Sequence, residues 1–201
     1  MSDDAEPRLA KIELRRRLAA ARGEVDAATR DAWSELIAER LMGEVLPSTG
    51  AEPRTVLAFD GFGSEVRTEG LVARLTARGV RVVLPFVRGE VMEASEAGAE
   101  SIRTTYGPRE PARPVAIDPA LIDMVLVPGL AFDLHGYRLG YGRGHFDRYL
   151  RRIRPDALRV GVAFDLQLID EVPHGPDDER VDAVVTERRT VWCEPSRPAR
   201  R

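Results

Sequence analysis

Cysteine is almost absent: Cys193 is the only one in 201 residues. That excludes a disulfide framework and a cysteine-based metal centre. Lysine is equally scarce, since Lys11 alone among 30 basic residues is not arginine. A GC-rich genome accounts for the bias. The surviving lysine still stands out, because a compact ammonium and a planar guanidinium differ, and a phosphate contact can require the former. No apolar run approaches the roughly 18 residues of a membrane-spanning helix. The opening MSDDAEPRLAKIELRRR has no apolar core of a secretory signal. A basic surplus is missing too: 33 acidic residues face 30 basic ones, for a net charge of −3. Non-specific nucleic-acid binding, which needs cations against phosphates, is therefore not expected. What is present, a 43% hydrophobic content, suits a globular chain with a real core. The expectation is a cytoplasmic protein without membrane or nucleic-acid partners.

Residues 8 to 22 place Leu9, Ile12, Leu14, Leu18 and Ala19 among arginines, which predicts an amphipathic helix ending at Gly23. Asp26 to Met42 repeats the pattern with Trp33, Leu36, Ile37 and Leu41, and Gly43 is expected to stop it. The charges on both helices read mostly as solvated surface. Then the period changes. Thr55 to Phe59 reads as a strand, Asp60 to Ser64 as a loop, Glu65 to Arg78 as a helix closed by Gly79, and Val80 to Val87 as a strand broken or edged by Pro85. This βαβ unit predicts a parallel sheet with a right-handed crossover. Residues 88 to 120, rich in Gly, Pro and Glu, predict weak edge strands and a long loop. Asp123 to Val127 is a buried strand, His145 to Ile153 a helix, Val160 to Phe164 a strand and Val181 to Val185 the last strand. One domain over 1–194 is expected, with helices at 8–42, an α/β core at 55–190, and a frayed basic tail at 195–201.

Chemistry concentrates in Arg138-Leu139-Gly140-Tyr141-Gly142-Arg143-Gly144-His145-Phe146-Asp147. Three glycines at alternate positions let the backbone approach a ligand, and the loop opens a helix, where free N–H groups and the dipole favour an anion. Arg138 and Arg143 add charge, so a polyphosphate fits best; a tight connection in an α/β sheet is the plainer account. No lysine follows these glycines, which excludes a Walker A loop, and GxGxG in place of GxGxxG argues against a dinucleotide fingerprint. Asp147, one turn into the helix, reads either as an ordinary exposed carboxylate or, beside a polyphosphate, as a Mg²⁺ ligand. Asp177, Asp178 and Asp182 by themselves read as a solvated turn. His135 and His174 read as loop residues without a metal role.

Residues 128 to 150, PGLAFDLHGYRLGYGRGHFDRYL, closely resemble the signature of 5-formyltetrahydrofolate cyclo-ligases, also called 5,10-methenyltetrahydrofolate synthetases. There a PGLxFD strand end leads into RLGxGxGYYD. Lys11 to Arg15 is similar to that family's KxxLR, Ser64 to Thr68 to its EhxT step, and Val83-Leu84-Pro85 to its strand ending in Leu-Pro. Glu110-Pro111 resembles a short EP element, and Pro173 to Glu187 resembles LPxExHDxxVDxVVTE. The likeness runs from about residue 8 to 190. Two positions depart: His145-Phe146 stands where the family has Tyr-Tyr, and Gly175 and Asp177 replace its usual Glu and His.

The resemblance implies a three-layer α/β/α sandwich with a mixed, largely parallel sheet and an N-terminal helical arm. It implies a ligase that uses ATP and Mg²⁺ to cyclise 5-formyltetrahydrofolate to 5,10-methenyltetrahydrofolate, and a monomer is expected. Carried over by position, Lys11, Arg15, Arg138, Leu139, Gly140, Tyr141, Gly142, Arg143, Gly144, His145 and Phe146 border ATP, with Lys11, Arg138 and Arg143 catalytic. Asp147 and Asp178 are the implied Mg²⁺ ligands. Glu65 matches the substrate-binding glutamate; Asp60, Phe62, Tyr106 and Tyr141 to His145 border the folate, with Phe62 and Tyr106 as stacking candidates. His145 reads as a nucleotide contact, a proton donor to departing phosphate, or a polar surface residue. Two other readings stay open: a sugar-phosphate isomerase or CoA-transferase-like enzyme, and a regulator that binds nucleotide or folate without turnover.

Overall fold

In the computed structural model, which describes residues 5–96, 101–103 and 109–194, two helices precede an α/β core. Helix α1 spans Ala5–Glu24 and α2 spans Ala27–Arg40. Asp26 caps α2 by accepting the Thr29 N–H at 2.9 Å, which satisfies one of the orphan donors at the helix start. Gly43 does not end this helix as the sequence suggests. After Arg40 the chain widens into a π turn, Leu41–Val45, and finishes in one more α turn, α3, Leu46–Ser48. Leu41, Val45 and Leu46 are buried, and that apolar contact outweighs the roughly 1 kcal/mol a helical glycine costs.

The strands are β1 (Thr55–Leu57), β2 (Arg81–Arg88), β3 (Val91–Glu96), β4 (Ser101–Arg103), β5 (Arg109–Pro111), β6 (Met124–Val127), β7 (Ala131–Phe132), β8 (Arg138–Leu139), β9 (Leu158–Val162), β10 (Ala183–Val185) and β11 (Thr190–Trp192). Helix α4 (Glu69–Ala77) joins β1 to β2, and α5 (His145–Leu150) follows β8. One seven-stranded sheet runs in the order β11-β10-β9-β6-β1-β2-β3. Its central strands are parallel, while β3 and β11 run antiparallel at its edges. The parallel βαβ unit is as expected. Beyond Val185, the expected last strand, β11 forms the edge. Pro85 does not break β2: it lies opposite Ala94, past Val83 where the ladder to β1 ends, so no donor to β1 is lost there.

Alternation along the strands sorts side chains into two cores. Val56, Met124, Leu126, Val160 and Val162 face α2, the π turn and α4, together with Ile37, Leu41, Leu71 and Leu75. Leu57, Val125, Val127 and Val184 face the opposite side, with Ile122, Phe132, Tyr149 and Leu150. Period-two alternation with both faces covered is what a parallel sheet between helices requires. The architecture is the expected mixed-sheet α/β sandwich. Gly161 in β9 makes room for Phe132, since a Cβ there would stand 2.6 Å from the ring.

Helix α1 lies apart from those two cores. Leu18 packs with Ala131, Leu139 and Val172, and Leu14 joins them. The expected stripe is only partly right, because Leu9 and Ile12 are 66% and 51% exposed. At about 100° per residue, positions 11, 14, 15, 18 and 22 share one face, whereas 9 and 12 fall off it.

Candidate active site

The parallel strands reverse their winding between β1 and β6: from β1 the chain goes to β2 on one side, then to β6 and β9 on the other. Ligands of open α/β sheets bind beyond the carboxyl ends of strands at such a point. Here those ends carry the loop 58–68 after β1 and Pro128-Gly129 after β6. Arg22, Glu65, Val66, Gly129, Val162 and Gln167 meet there.

Helix α1 brings cations to one side of this region. Lys11 Nζ donates to Asp178 Oδ2 at 2.7 Å, and Arg15 Nε donates to the Gly140 carbonyl at 2.8 Å. Gly142 and Gly144 have φ of 98° and 64°, values that favour glycine. A Cβ on Gly142 would also stand 3.4 Å from the Arg15 guanidinium. Arg138, whose side chain is 3% exposed, pairs with Asp147 Oδ1 at 2.8 Å. The same oxygen accepts the Glu179 N–H at 3.0 Å. Arg138 also donates to the Glu179 carbonyl at 3.1 Å, and the Glu179 carboxylate is pinned by buried Arg159 at 2.7 Å.

Asp178 lies in the same neighbourhood. Burial pushes its carboxyl up, but hydrogen bonds from Lys11 and the Gly175 N–H, with the charges of Lys11 and Arg138, outweigh it and hold the group below its ordinary value. In both carboxylates the anchoring bonds fall on one oxygen, Oδ1 of Asp147 and Oδ2 of Asp178. The second oxygen of each is the one that could take a hard cation. Among the described residues no three His, Cys, Asp or Glu side chains gather into a metal cluster.

On the other side Glu65 is 5% exposed. The sequence places it at the start of a helix, yet α4 begins only at Glu69, and Glu65 closes a turn in which its N–H donates to Phe62 O at 3.0 Å. Thr68 Oγ1 donates to the Phe59 carbonyl and ties the turn to the end of β1. Phe62 N–H donates to Glu65 Oε2 at 3.2 Å and Tyr141 Oη to Oε1 at 2.7 Å. Burial pushes the Glu65 carboxyl up, against the pull of Tyr141, Arg22 and the Phe62 N–H, while Asp60 adds to the rise. Burial and the Glu65 charge push the Tyr141 phenol up to about 12. The rings of Phe62 and Tyr141 lie 6.0 Å apart beside the carboxylate.

The structure thus brings Lys11, Arg15, Gly140, Asp147 and Asp178 together, and Phe62, Glu65 and Tyr141 into a second group joined to the first by the glycine loop. Leu139 turns its side chain into the contact with Leu18, and its carbonyl accepts the Leu130 N–H at 2.7 Å in the pairing of β8 with β7. Phe146, within α5, packs against the core. His145 has its ring value lowered by burial and by Arg148 and Arg143. Gly144 is the residue before α5, and Arg143 is exposed in the loop. Tyr106 and the tail 195–201 lie outside the described residues. Arg22 is the residue that sequence reasoning missed: it is 4% exposed, donates to Ser64 Oγ at 3.0 Å and to Tyr141 Oη at 2.8 Å. Its signal was its spacing, since 11, 15 and 22 fall on one helical face.

Residues 8–187 match the model of the 5-formyltetrahydrofolate cyclo-ligase family. A 5-formyltetrahydrofolate cyclo-ligase of Mycolicibacterium smegmatis is 32% identical over 190 residues, covering 90% of this chain and 95% of that one. One from Escherichia coli is 32% identical over 146 residues, 69% of this chain and 80% of its own. The NMR structure of Aquifex aeolicus 5,10-methenyltetrahydrofolate synthetase superposes with a TM-score of 0.78 at 29% identity, over 95% of this chain and 96% of that one.

Proposed function

The chain belongs to the 5-formyltetrahydrofolate cyclo-ligase family, and from that premise we propose that it cyclises 5-formyltetrahydrofolate to 5,10-methenyltetrahydrofolate at the expense of ATP. One observation carries the reading. Lys11 and Arg15 of α1 are docked on the glycine loop and on Asp178, so two cations, a glycine-lined backbone and two carboxylates converge where a polyphosphate and its cation can be held. Glu65, a buried acceptor, lies on the far side of the same loop.

The chemistry asks little covalent work of the protein. An N5-formyl group is an amide, with a poor electrophile and a poor leaving group. The γ-phosphoryl group of ATP passes to the formyl oxygen, the bond to the β–γ bridging oxygen breaks, and ADP leaves. N10 then adds to the activated formyl carbon and loses its proton, and phosphate departs with the former formyl oxygen. The nucleophile belongs to the substrate, so catalysis is positioning and charge neutralisation. Lys11 and Arg15 neutralise the phosphates; Arg143 and the Gly140–Gly144 backbone border them. Arg138 acts from beneath by fixing Asp147. Glu65 accepts hydrogen bonds from the pteridine N–H groups, and Phe62 offers it a ring face.

Asp147 and Asp178 fit Mg²⁺, which typically takes one or two carboxylates with phosphate oxygens and water. Bound there, the ion would neutralise phosphate charge and orient the γ-phosphoryl group. The direction of the His145 shift argues against it as the proton donor to phosphate, since burial and the charges of Arg148 and Arg143 disfavour its protonated form. An isomerase would want its lysine and glutamate acting on one substrate atom; here Lys11 is paired to Asp178 and Glu65 to Tyr141.

The test follows the near-ultraviolet band of the methenyl product. Purified protein is mixed with 5-formyltetrahydrofolate, ATP and Mg²⁺, and each is omitted in turn. A band that grows only with all three is expected. Folded protein that gives no band refutes the reading.

A further inference from the structure

The guanidinium of Arg22 is enclosed on α1, eleven residues beyond Lys11, and it does not face phosphate. Its Nε donates to Ser64 Oγ at 3.0 Å, and a terminal nitrogen donates to Tyr141 Oη at 2.8 Å. Tyr141 in turn donates to Glu65 Oε1 at 2.7 Å. A phenol has one proton and two lone pairs, so accepting from Arg22 commits the Tyr141 proton to Glu65. We propose that Arg22 is the positioning residue of the folate site, aiming the Glu65 carboxylate at the pteridine edge through the Tyr141 hydroxyl. This rests on the proposed reading of the surroundings of Glu65 as the folate site.

Three elements face Glu65. From α1 comes the positive charge of Arg22; from the glycine loop, the Tyr141 hydroxyl; from the loop after β1, the Phe62 N–H and the negative charge of Asp60. Among them Arg22 is the cation that favours the ionised carboxylate against burial. Each carboxylate oxygen keeps a lone pair beyond the bonds from Tyr141 and Phe62, and those pairs are what a ring N–H and an exocyclic amino group need. A protonated Glu65 would turn one acceptor into a donor and oppose the same edge. Arg22 therefore sets both the direction and the ionisation of the acceptor without touching substrate. Lys11 and Arg15, seven or more residues earlier on the same face, serve the phosphates, so the two tasks separate by variant.

The experiment measures kcat/KM for 5-formyltetrahydrofolate, and KM for ATP, across pH 5–9 in the wild type, Arg22→Met, Arg22→Lys and Tyr141→Phe. Arg22→Met should raise the folate KM about tenfold or more at neutral pH. Its acid limb should move to higher pH while the ATP KM stays within about twofold. Arg22→Lys, which keeps the charge, should hold the limb near its wild-type position. Tyr141→Phe should move it part of the way. An unmoved limb in Arg22→Met, or folate and ATP KM rising together at every pH, overturns the inference. If Arg22→Met does not fold, Tyr141→Phe decides alone, because its ring is half exposed; an unmoved limb there refutes the relay. A wild type that binds folate but never turns it over overturns the proposed activity, and calorimetric folate binding by the same variants then decides the Arg22 role.

Discussion

Replacing Lys11 with methionine separates a phosphate contact from a structural ion pair. Lys11 Nζ lies 2.7 Å from Asp178 Oδ2, and each side chain is 23% exposed. A hydrogen bond to a charged group contributes about 1.5–3 kcal/mol when sheltered; partial exposure brings this one to about 1.5 kcal/mol. For a chain of this length about 1 kcal/mol corresponds to roughly 2–4 °C in Tm, so Lys11→Met should melt about 3–6 °C lower. The pH dependence has a definite sign. Folded Asp178 lies below its ordinary value, so its stabilisation is present above about pH 4 and is lost as pH falls through the folded value. Lys11→Met removes two of the forces that hold it down and leaves burial to lift it. Its stability should then begin to fail at a higher pH on acidification. For ATP, loss of one charged contact predicts about 10- to 150-fold weaker binding. Calorimetry in EDTA reads this without the metal. The decisive comparison uses Lys11→Met in an Asp178→Asn background. The double variant should regain much of the lost Tm, since no buried carboxylate is left without its cation, yet it should still bind ATP at least about tenfold more weakly than Asp178→Asn alone. Equal ATP affinity in those two proteins would mean that Lys11 only neutralises Asp178, and the phosphate role would be refuted.

Three further outcomes follow from the same geometry. Glu65 has a folded value above its unfolded one, so its ionised form costs stability once pH rises through that interval; Glu65→Gln should melt higher than wild type at pH 8, match it near pH 4, and bind folate at least about tenfold more weakly. Thermal melts at several pH values check the sign, and a Glu65→Gln that melts lower at pH 8 contradicts it. Asp147→Asn leaves Arg138, with its 3% exposed side chain, facing a neutral amide; a loss of about 2–3 kcal/mol and a raised Mg²⁺ requirement are expected, and an unaltered Mg²⁺ titration would place the ligand elsewhere. His145→Gln should leave the pH–rate profile in place, because burial and the charges of Arg148 and Arg143 disfavour the protonated ring; a lost basic limb would make histidine the acid.

The sheet was legible because strands covered on both faces are unbroken apolar runs, which leave a plain mark. TVL, MVLV and AVV are buried throughout and were read as strands from hydrophobicity alone. The edges were not legible. β11 shows only intermediate or exposed positions, so no core pattern announces it, and backbone pairing to β10 alone makes it a strand. Gly43 misled because a stop signal is local, whereas the burial of Leu41, Val45 and Leu46 that overrides it is tertiary. Glu65 misled in the opposite direction: its sequence neighbourhood is helical, but Thr68 ties back to Phe59 and delays the helix until Glu69. The glycine loop and its aspartates were visible as a motif. Which side chains pair with which was not. Arg159 in LRVGV is a charge inside an apolar strand, a signal that reads as an interruption until its bonds to Glu179 and the Leu150 carbonyl explain it.

Helix α1 shows why a motif could reveal one half of the site and conceal the other. Leu14 and Leu18 dock the helix on Ala131, Leu139 and Val172, and this contact fixes its rotation. Once the rotation is fixed, Lys11, Arg15 and Arg22 follow at helical spacing and reach Asp178, Gly140 and Tyr141 respectively. Gly140 and Tyr141 are consecutive residues of one loop, so the same helix braces the glycine loop through its backbone and the Glu65 side through a side chain. A rigid element contacting both groups suits the proposed phosphoryl transfer followed by ring closure, in which the two reacting partners would be positioned by one body rather than by two that must find each other. The lone lysine and the overlooked arginine are therefore parts of a single device, and only packing, not composition or motif, could show that they belong together.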